Sequence, residues 1–534
     1  MLCLAGTLQP GYGQSQTRNT RPNILWITTE DMSPGHLGCY GGKVARTPNI
    51  DRLAKEGVRY THAYSTAGVC SPSRNAIISG MYPTSIGGHN MRNYQENAGA
   101  AAFQQGAPAS YSIVTPEEMR CYPEFLRAAG YYCTNRDKQD YQLKSPVTVW
   151  DENSKTADWR GRADGQPFFS IINFMDTHES QIFSRDNLPL TVDPAGVTLL
   201  PFYQDTPVMR KDVARHLSNI EDMDRKVGEV IQRLKDDGLY DNTIIFFYSD
   251  HGDGLPYVKR EVYDRGLRIP LIIRYPYAAG AGTVVNDLVS FVDFAPTVLS
   301  LANVEIPGYM QGQAFAGAAK ARTPRKYIYA ARDRISNKVD RVRAVGDGRF
   351  KYFKNYYPEL PYYQDLLYRN QMKGITEMLR LRDEGKLSGL QMHWFRSGKP
   401  EEELFDTEND PLELKNLADD PRYASKLNEL REAHYQWIRN FGDLGAVDEK
   451  SIVRVWWNGR NEPPFTATPK IMVDKNQVTL SCVTNGASIG YKINKNDKAW
   501  RVYTGPFTLK PGERVLVVAH RIGFQQSEIV ELIL

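Results

Sequence analysis

Four short runs of apolar residues, each followed by a polar turn, constrain the fold of this chain more than any other feature. The runs read NILWIT (23–28), PFFSIINF (167–174), NTIIFFYS (242–249) and IPLIIRYP (269–276). Apolar runs of about 4–8 residues between turn signals are typical of strands buried on both faces of a sheet. They predict an α/β domain with a mostly parallel central sheet between layers of helices.

Two helices are predicted between these strands. The first has Thr47 as its N-cap, Pro48 at its first position and Gly57 as its stop. The second is the long amphipathic segment 211–238, which ends at Gly238. We expect the α/β domain to cover residues 21–340.

The length of 534 residues predicts further domains. Residues 341–448 combine an aromatic-rich tract with a helix, which predicts a smaller α+β subdomain. Residues 449–534 show apolar alternation broken by Gly, Asn and Pro, which predicts a small β-sandwich. Residues 1–20 read as a signal remnant or a disordered spacer, so we expect a secreted or periplasmic protein whose signal begins upstream.

The charge balance argues against some partners. With 66 basic and 62 acidic residues and no long basic run, nucleic acid is not expected as a partner. No run of about 18 apolar residues occurs, so no membrane span is expected. The six cysteines form no CxxC pair and no zinc-like spacing, and a disulfide between Cys121 and Cys133 stays open.

Ionisable side chains follow three of the predicted strands, at the point where each strand ends. Ligands of open α/β sheets bind at this edge, outside the carboxyl ends of the strands. We therefore expect these side chains to lie together on one rim of the domain. They are Glu30 and Asp31 after the first strand, Asp176 and His178 after the second, and Asp250 and His251 after the third.

Three of these acids predict a metal site. Carboxylate oxygens from Glu30, Asp31 and Asp250 are the ligands that a hard divalent cation prefers. His251 is the candidate for a fourth ligand. The alternative for His251 is a hydrogen bond inside the turn SDHGDG (249–254).

The segment GVCSPSRNAIISG (68–80) places Cys70 at the start of a predicted helix, with Pro72 in its first turn. Arg74 lies four residues later, on the same helix face. The helix dipole and the arginine predict a lowered pKa for the thiol, and equally a place for an oxyanion beside residue 70. From these residues alone, a structural cysteine with a surface arginine is the alternative.

The same segment resembles the signature of the type I sulfatases, in which Cys or Ser is followed by x-Pro-Ser-Arg and a helix that ends in Ser/Thr-Gly. The strand-end acids and the SDHG turn match that family too, and the resemblance covers residues 20–440, including YIYAARDR and ELFDTENDPLELKNLADDP. It implies the fold of the alkaline phosphatase superfamily. It also implies that a maturation enzyme oxidises Cys70 to formylglycine and that one calcium ion (Ca2+) is bound.

The resemblance assigns roles residue by residue. Glu30, Asp31, Asp250 and His251, with modified Cys70, fall where the family binds calcium, although the usual pattern there is Asp-Asp and Asp-Asn. The other carried-over residues are Arg74 beside the nucleophile, His178 and Lys259 at the sulfate, and Lys138 from a looser match in KQD (138–140).

Three further residues are candidates for substrate binding: His89, Asp140 and Arg260. Asp140 takes the place of a histidine in the family's Lys-x-His. His89 lies in GGHNMRNY (87–94), soon after the signature, and a role within the loop is its alternative.

The resemblance also implies a mechanism. One hydroxyl of the hydrated aldehyde attacks sulfur and expels the alcohol, and the second then loses its proton, which releases sulfate and restores the aldehyde. The sulfate oxygens need neutralisation, and the metal, Arg74, Lys138 and Lys259 are the positive groups available. His178 is the first candidate for the proton given to the leaving oxygen, with Lys138 or Lys259 as alternatives.

The expected substrate is a sulfated glycan, either an algal polysaccharide such as ulvan or a glycosaminoglycan. The tail 469–534 resembles a chitobiase C-terminal-like sandwich, a module often attached to glycan enzymes. Three alternatives stay open: N–S cleavage on a heparan-type substrate, hydrolysis of a phosphonate or phosphodiester, and a glycan-binding relative in which Cys70 is never oxidised.

Overall fold

The structure, a computed structural model, describes residues 21–94, 109–494 and 496–534. The expected signal remnant or spacer, residues 1–20, lies outside this part of the chain. Each helix within these ranges is too short or too polar to span a bilayer. The five cysteines found there are all free, so Cys121 and Cys133 form no disulfide.

An eight-stranded sheet forms the centre of the molecule. Its strands are β1 (Asn23–Thr29), β2 (Val58–Tyr64), β3 (Tyr132–Arg136), β4 (Glu152–Asn153), β5 (Phe168–Phe174), β6 (Thr243–Ser249), β7 (Arg268–Arg274) and β8 (Val284–Ser290). They lie in the order β4-β3-β5-β1-β6-β7-β2-β8. Only β7 runs antiparallel to its neighbours. The predicted mostly parallel sheet is confirmed.

Helices cover both faces of this sheet. They are α1 (Pro48–Glu56), α2 (Cys70–Ser79), α3 (Pro83–Ile86), α4 (Tyr122–Ala128), α5 (Ser180–Ser184), α6 (Pro207–Asp236), α7 (Asp264–Leu267) and α8 (Phe294–Leu301). Along β1, Leu25 and Ile27 join the apolar core under α1 and α6, while Ile24 and Trp26 join the core under α2, α4 and α8. This alternation is why the central residues of β1, 24–27, are all apolar.

The long helix differs from its predicted bounds, 211–238, at both ends, and it ends at Asp236. It begins at Pro207 rather than at residue 211, because Thr206 accepts a hydrogen bond from the backbone N–H of Met209 at 3.2 Å and Pro207 takes the first position. The helix α1 has the predicted N-cap Thr47 and C-cap Gly57.

A second, four-stranded antiparallel sheet follows. It contains β9 (Ile328–Arg332), β10 (Val342–Gly346), β11 (Phe350–Asn355) and β12 (Glu402–Asp406). The helices in this part of the chain are α9 (Lys373–Asp383), α10 (Ala424–Phe441) and α11 (Glu449–Trp456). The order is β12-β11-β10-β9, with α10 packed on β10 and β11. Since β9 pairs with β10, this sheet begins before the expected division at residue 340.

The tail folds as two small antiparallel sheets around an apolar core. Its strands are β13 (Lys470–Asp474), β14 (Gln477–Ser481), β15 (Ser488–Ile493), β16 (Arg501–Val502), β17 (Phe507–Thr508), β18 (Arg514–His520) and β19 (Val530–Ile533). The sheets β13-β14-β17 and β16-β15-β18-β19 enclose Val478, Leu480, Leu509, Val515 and Val517. The predicted β-sandwich is therefore present.

Candidate active site

The strand-end acids meet at the carboxyl edge of the central sheet. Strands β1 and β6 are parallel neighbours with Thr29 opposite Ser249, so the residues that follow them emerge side by side. Glu30, Asp31 and Asp250 are fully buried there. The backbone N–H of Asp31 donates to Asp250 Oδ1 at 3.2 Å, which ties the two turns together.

Cys70 reaches the same point from the first residue of α2. Its Sγ lies 3.3 Å from His251 Nε2, 3.5 Å from Glu30 Oε2 and 3.7 Å from Lys259 Nζ. All ten residues of α2 are buried, and Gly80 ends the helix in the left-handed conformation at φ 68°. The nucleophile candidate therefore lies on a rigid, enclosed element.

The prediction that the helix and Arg74 lower the pKa of the Cys70 thiol is wrong. Burial raises the pKa of Cys70, and the Asp250 and Glu30 carboxylates raise it further, although Lys138 and Lys259 oppose them. Arg74 does not offset this shift, because its guanidinium binds the carboxylates of Asp250 and Glu30 rather than the sulfur. The thiol in this site is a protonated group, not a thiolate nucleophile.

Arg74 binds three side chains at the ends of neighbouring strands. Its Nε donates to Asp250 Oδ2 at 3.2 Å, one terminal nitrogen donates to Asn173 Oδ1 at 2.9 Å, and the other pairs with Glu30. Charge-assisted bonds of this kind fix the direction of a carboxylate. Arg74 thus orients two candidate metal ligands while lying one turn beyond Cys70.

Two lysines complete the charged cluster. Lys138 pairs with Glu30, and Lys259 donates to Asp31 Oδ2 at 2.5 Å. Burial opposes a positive charge on either lysine, yet the Glu30 and Asp140 carboxylates raise the pKa of Lys138, and the Asp31 carboxylate raises the pKa of Lys259. Both side chains are positively charged at neutral pH.

His178 is buried in the same cluster and is neutral. Burial lowers its pKa to about 3, and the positive charge of Lys259 contributes to that shift. Its Nδ1 accepts a hydrogen bond from the backbone N–H of Ser180 at 3.2 Å, so the proton of the neutral ring lies on Nε2. His178 therefore presents an N–H donor.

The carboxylates and His251 fit a divalent cation. Asp31 Oδ1 is buried and accepts no hydrogen bond within the described residues. His251 Nδ1 donates to the carbonyl oxygen of Gly252 at 2.9 Å, so Nε2, 3.1 Å from Asp31 Oδ1, is the ring nitrogen that faces the carboxylates. Asp31 Oδ1 and His251 Nε2 are therefore the two atoms that a cation would approach. Burial opposes a charged His251, yet Asp250 and Asp31 raise the pKa of its ring, which shows how strongly the site attracts positive charge.

The predicted rim is not complete. Asp176 turns away and pairs with Arg185 at 2.8 Å and Lys226 at 2.5 Å. His89 is buried outside the cleft that contains Cys70 and lines a smaller neighbouring cavity. Asp140 lies 3.5 Å from Lys138 Nζ, close to the cluster.

Several site residues were not found from the sequence. Arg260 lines the Cys70 cleft as predicted, but its partner Glu179, which accepts at 2.9 Å, was missed although it directly follows His178. Asn173, inside an apolar strand, and Arg92, in the loop after α3, were missed too. The polar side chain within the FFSIINF strand was the available signal for Asn173.

Comparisons with known proteins agree with this geometry. The family model Sulfatase matches residues 22–304, and the model N-sulphoglucosamine sulphohydrolase, C-terminal, matches residues 252–393. An ulvan-active sulfatase of Formosa agariphila is 45% identical over 551 residues, covering 96% of this chain and 91% of the relative.

Two solved structures show the same fold. BT1596, a 2-O GAG sulfatase, superposes with a TM-score of 0.59 at 21% identity, covering 80% of this chain and 94% of its own. The phosphonate monoester hydrolase of Agrobacterium radiobacter superposes with a TM-score of 0.57 at 18% identity, covering 80% of this chain and 99% of its own.

Proposed function

Because the chain belongs to the sulfatase family, we propose that it hydrolyses sulfate esters of ulvan or a related algal polysaccharide, with an aldehyde made from Cys70 as the nucleophile. It is a sulfuric ester hydrolase of the alkaline phosphatase superfamily that acts on sulfated polysaccharide. The relative that is 45% identical supports ulvan as the substrate.

One observation carries the catalytic proposal. The Sγ of Cys70 lies within 3.7 Å of Glu30, His251 and Lys259 at the end of a buried helix. A buried thiol with a raised pKa is a poor nucleophile, whereas a hydrated aldehyde at this position would supply a hydroxyl that attacks sulfur. The site therefore supports oxidation of Cys70 to formylglycine by a maturation enzyme.

The surrounding side chains divide the remaining work. Lys138 and Lys259 neutralise sulfate oxygens, and Arg74 fixes the carboxylates of Glu30 and Asp250. His178 donates its Nε2–H to the oxygen of the leaving alcohol, the alternatives being Lys138 and Lys259. A leaving group that is a sugar alcohol needs this proton more than a phenol does.

We propose that Glu30, Asp31, Asp250 and His251 hold one calcium ion, since three carboxylates form a hard donor set. Their ligand atoms lie in two groups that meet at Cys70, each within 4.8 Å: Glu30 and Asp31 with Cys70 and His178, and Asp250 and His251 with Cys70. Such an ion would supply positive charge to the sulfate oxygens. The imidazole of His251 is the softer donor in this set, so a measurement of the metal content has to distinguish calcium from a transition metal.

Mass spectrometry of the peptide with residue 70, from protein made in its native host, tests the modification. Loss of the sulfur atom is expected. A persistent thiol, or full activity in Cys70→Ala, would contradict the mechanism. We propose export to the periplasm or the outside of the cell, where such a polysaccharide is met, and fractionation of that host tests this.

A second candidate is N–S cleavage, favoured by the match to the N-sulphoglucosamine sulphohydrolase C-terminal model over residues 252–393. A third is phosphonate hydrolysis, because a phosphonate monoester hydrolase shares the fold. A panel of O-sulfated oligosaccharides, N-sulfated glucosamine and aryl phosphonate separates them. Faster turnover of the N-sulfate or the phosphonate would replace the ester proposal.

A further inference from the structure

The cleft above Cys70 has one apolar and one cationic wall. Met91, Ile335 and Leu366 form an apolar patch, and Arg92, Lys259 and Arg260 line the other side. A cleft with this division suits a sugar ring that carries negative charge on one edge.

The cations of this cleft differ in how far the protein itself neutralises them. Lys259 donates to Asp31 at 2.5 Å, and Arg260 donates to Glu179 at 2.9 Å and pairs with it through both terminal nitrogens. Burial opposes a negative charge on Glu179, yet the neighbouring Arg260 lowers the pKa of this carboxyl to about 2. Lys259 and Arg260 are therefore both hydrogen-bonded to carboxylates of the protein.

In the part of the chain that the structure describes, Arg92 makes only a longer ion pair. Its nearest carboxylate is Asp140, at 3.8 Å from Nε to Oδ1, which is too long for a hydrogen bond. Asp140 in turn lies closer to Lys138, at 3.5 Å. Within the described residues, the Arg92 guanidinium lines the cleft without donating to any carboxylate.

The backbone fixes Arg92 in this place. The N–H of Met91 donates to the carbonyl of Arg334 at 2.8 Å, and the N–H of Asn93 donates to Gln142 Oε1 at 2.9 Å. Between these two anchors Arg92 has φ 54°, a left-handed conformation that is unfavourable for a residue with a Cβ. Strain that the surroundings enforce in this manner is concentrated at functional sites.

From the charge and position of Arg92 we infer that it binds a second anionic group of the substrate, next to the sulfate that is removed. The inference rests on the proposed sulfatase function and extends it to the substrate class, a glycan with a carboxylate or another sulfate beside the cleaved one. A guanidinium can bind either oxyanion through two parallel hydrogen bonds.

The test compares three sulfated disaccharides that differ in one group on the neighbouring sugar. The first carries a uronate carboxylate, the second a primary alcohol made by reducing it, and the third a second sulfate. Values of kcat/KM are measured for the wild type, Arg92→Met, Arg92→Lys and the control Arg380→Met, whose arginine is half exposed on α9.

We expect the wild type to prefer one of the two charged substrates over the alcohol by about 10-fold or more, since hydrogen bonds between charged groups are stronger than those between neutral groups. The preferred compound identifies the anion. Arg92→Met should abolish this preference, Arg92→Lys should retain part of it, and Arg380→Met should behave as the wild type.

An equal loss on all three substrates in Arg92→Met, with wild-type preference absent, would overturn the inference and leave Arg92 as a support for the Lys138 loop. Failure of the proposed function has a different signature, because the wild type would then release no sulfate from any of the compounds. Should Arg92→Met fold poorly, the wild-type preference and Arg92→Lys decide alone.

Discussion

His178 is confined to one tautomer by the backbone of its own turn. The N–H of Ser180 donates to Nδ1, so the ring offers Nε2–H to the cleft, and burial with Lys259 lowers its pKa to about 3. The ring is therefore a neutral donor across the physiological range. A neutral donor is useful mainly when the leaving oxygen is strongly basic.

His178→Gln is expected to reduce kcat on a sulfated sugar by about 10²–10⁴-fold, the usual range for a lost proton donor. With 4-nitrophenyl sulfate the loss should be much smaller, because a phenolate leaves without protonation. Steady-state kinetics on both substrates gives the ratio. Equal losses would assign the proton to Lys138 or Lys259 instead.

The buried carboxylates give a second expectation at this scale. Removal of a bound cation leaves Glu30, Asp31 and Asp250 facing one another, so a calcium chelator should lower Tm and added calcium should restore it. Differential scanning calorimetry measures the shift. Asp250→Asn should abolish the chelator-sensitive part, whereas Asp176→Asn, outside the cluster, should keep it. A Tm that ignores the chelator in the wild type would exclude a structural calcium site.

At the scale of elements, the contact between α6 and α9 contains a buried acid. Asp212 on α6 accepts from the backbone N–H of Gly374 at 2.5 Å. Burial raises its pKa to about 6, and Asp186 contributes in the same direction, while the Gly374 hydrogen bond, Lys373 and Lys211 oppose the shift. The protonated carboxyl is the form that this helix contact prefers.

Because the folded pKa of Asp212 lies above its unfolded value of about 3.8, the folded state binds more protons between pH 4 and 6. Stability should therefore fall as pH rises through this window, by up to about 3 kcal/mol. Asp212→Asn keeps an acceptor for Gly374 and should remove the decline.

Thermal unfolding from pH 4.5 to 7 checks this expectation. The Tm of Asp212→Asn relative to wild type should rise by a few degrees across the range. Asp236→Asn, an exposed acid on the same helix, is the control and should show no such trend. Parallel pH profiles for wild type and Asp212→Asn would contradict the assignment.

The whole molecule shows which levels of structure can be predicted from one sequence. The strands β1, β5, β6 and β7 were predictable because a strand buried on both faces is apolar along most of its length. The meeting of the acids that follow β1 and β6 was predictable from the parallel order of those two strands. Side-chain pairing was not: Arg74 shares a helix face with Cys70, but its guanidinium reaches Asp250, Asn173 and Glu30.

Pairings between residues far apart in the sequence could not be predicted either. Asp176 and His178 follow one strand, yet only His178 faces the cleft, because Arg185 and Lys226 draw Asp176 away. Strand β9 precedes the expected domain division and pairs beyond it. Local patterns determine elements, whereas these choices depend on partners that lie far apart in the chain.

The C-terminal β-sandwich is attached to the catalytic part by buried contacts. Arg521 donates to Thr115 Oγ1 at 3.1 Å and to its carbonyl oxygen, and Ile522 joins the apolar core under α2, α4 and α8. Arg127 donates to the carbonyl oxygen of Trp500 at 2.5 Å. The sandwich packs directly against the catalytic part and is not connected to it by the linker alone.

Arg521→Ala should loosen this attachment, because it leaves the Thr115 carbonyl without its buried donor. Limited proteolysis in the segment 461–469 is expected to be several-fold faster, while aryl sulfate turnover stays at the wild-type level. Arg501→Ala, an exposed arginine of the same sandwich, is the control. Unchanged proteolysis would mean that the apolar contacts suffice.

The complete burial of α2 has a consequence in time. Every residue from Cys70 to Ser79 is buried in the finished fold, so an enzyme that has to bind this whole segment to oxidise Cys70 must meet it before it is enclosed. On the proposed mechanism, maturation and folding therefore compete for the same newly made chain. The proportion of active molecules would then record which process was faster, and a cell could alter that proportion by delaying the enclosure of a single helix.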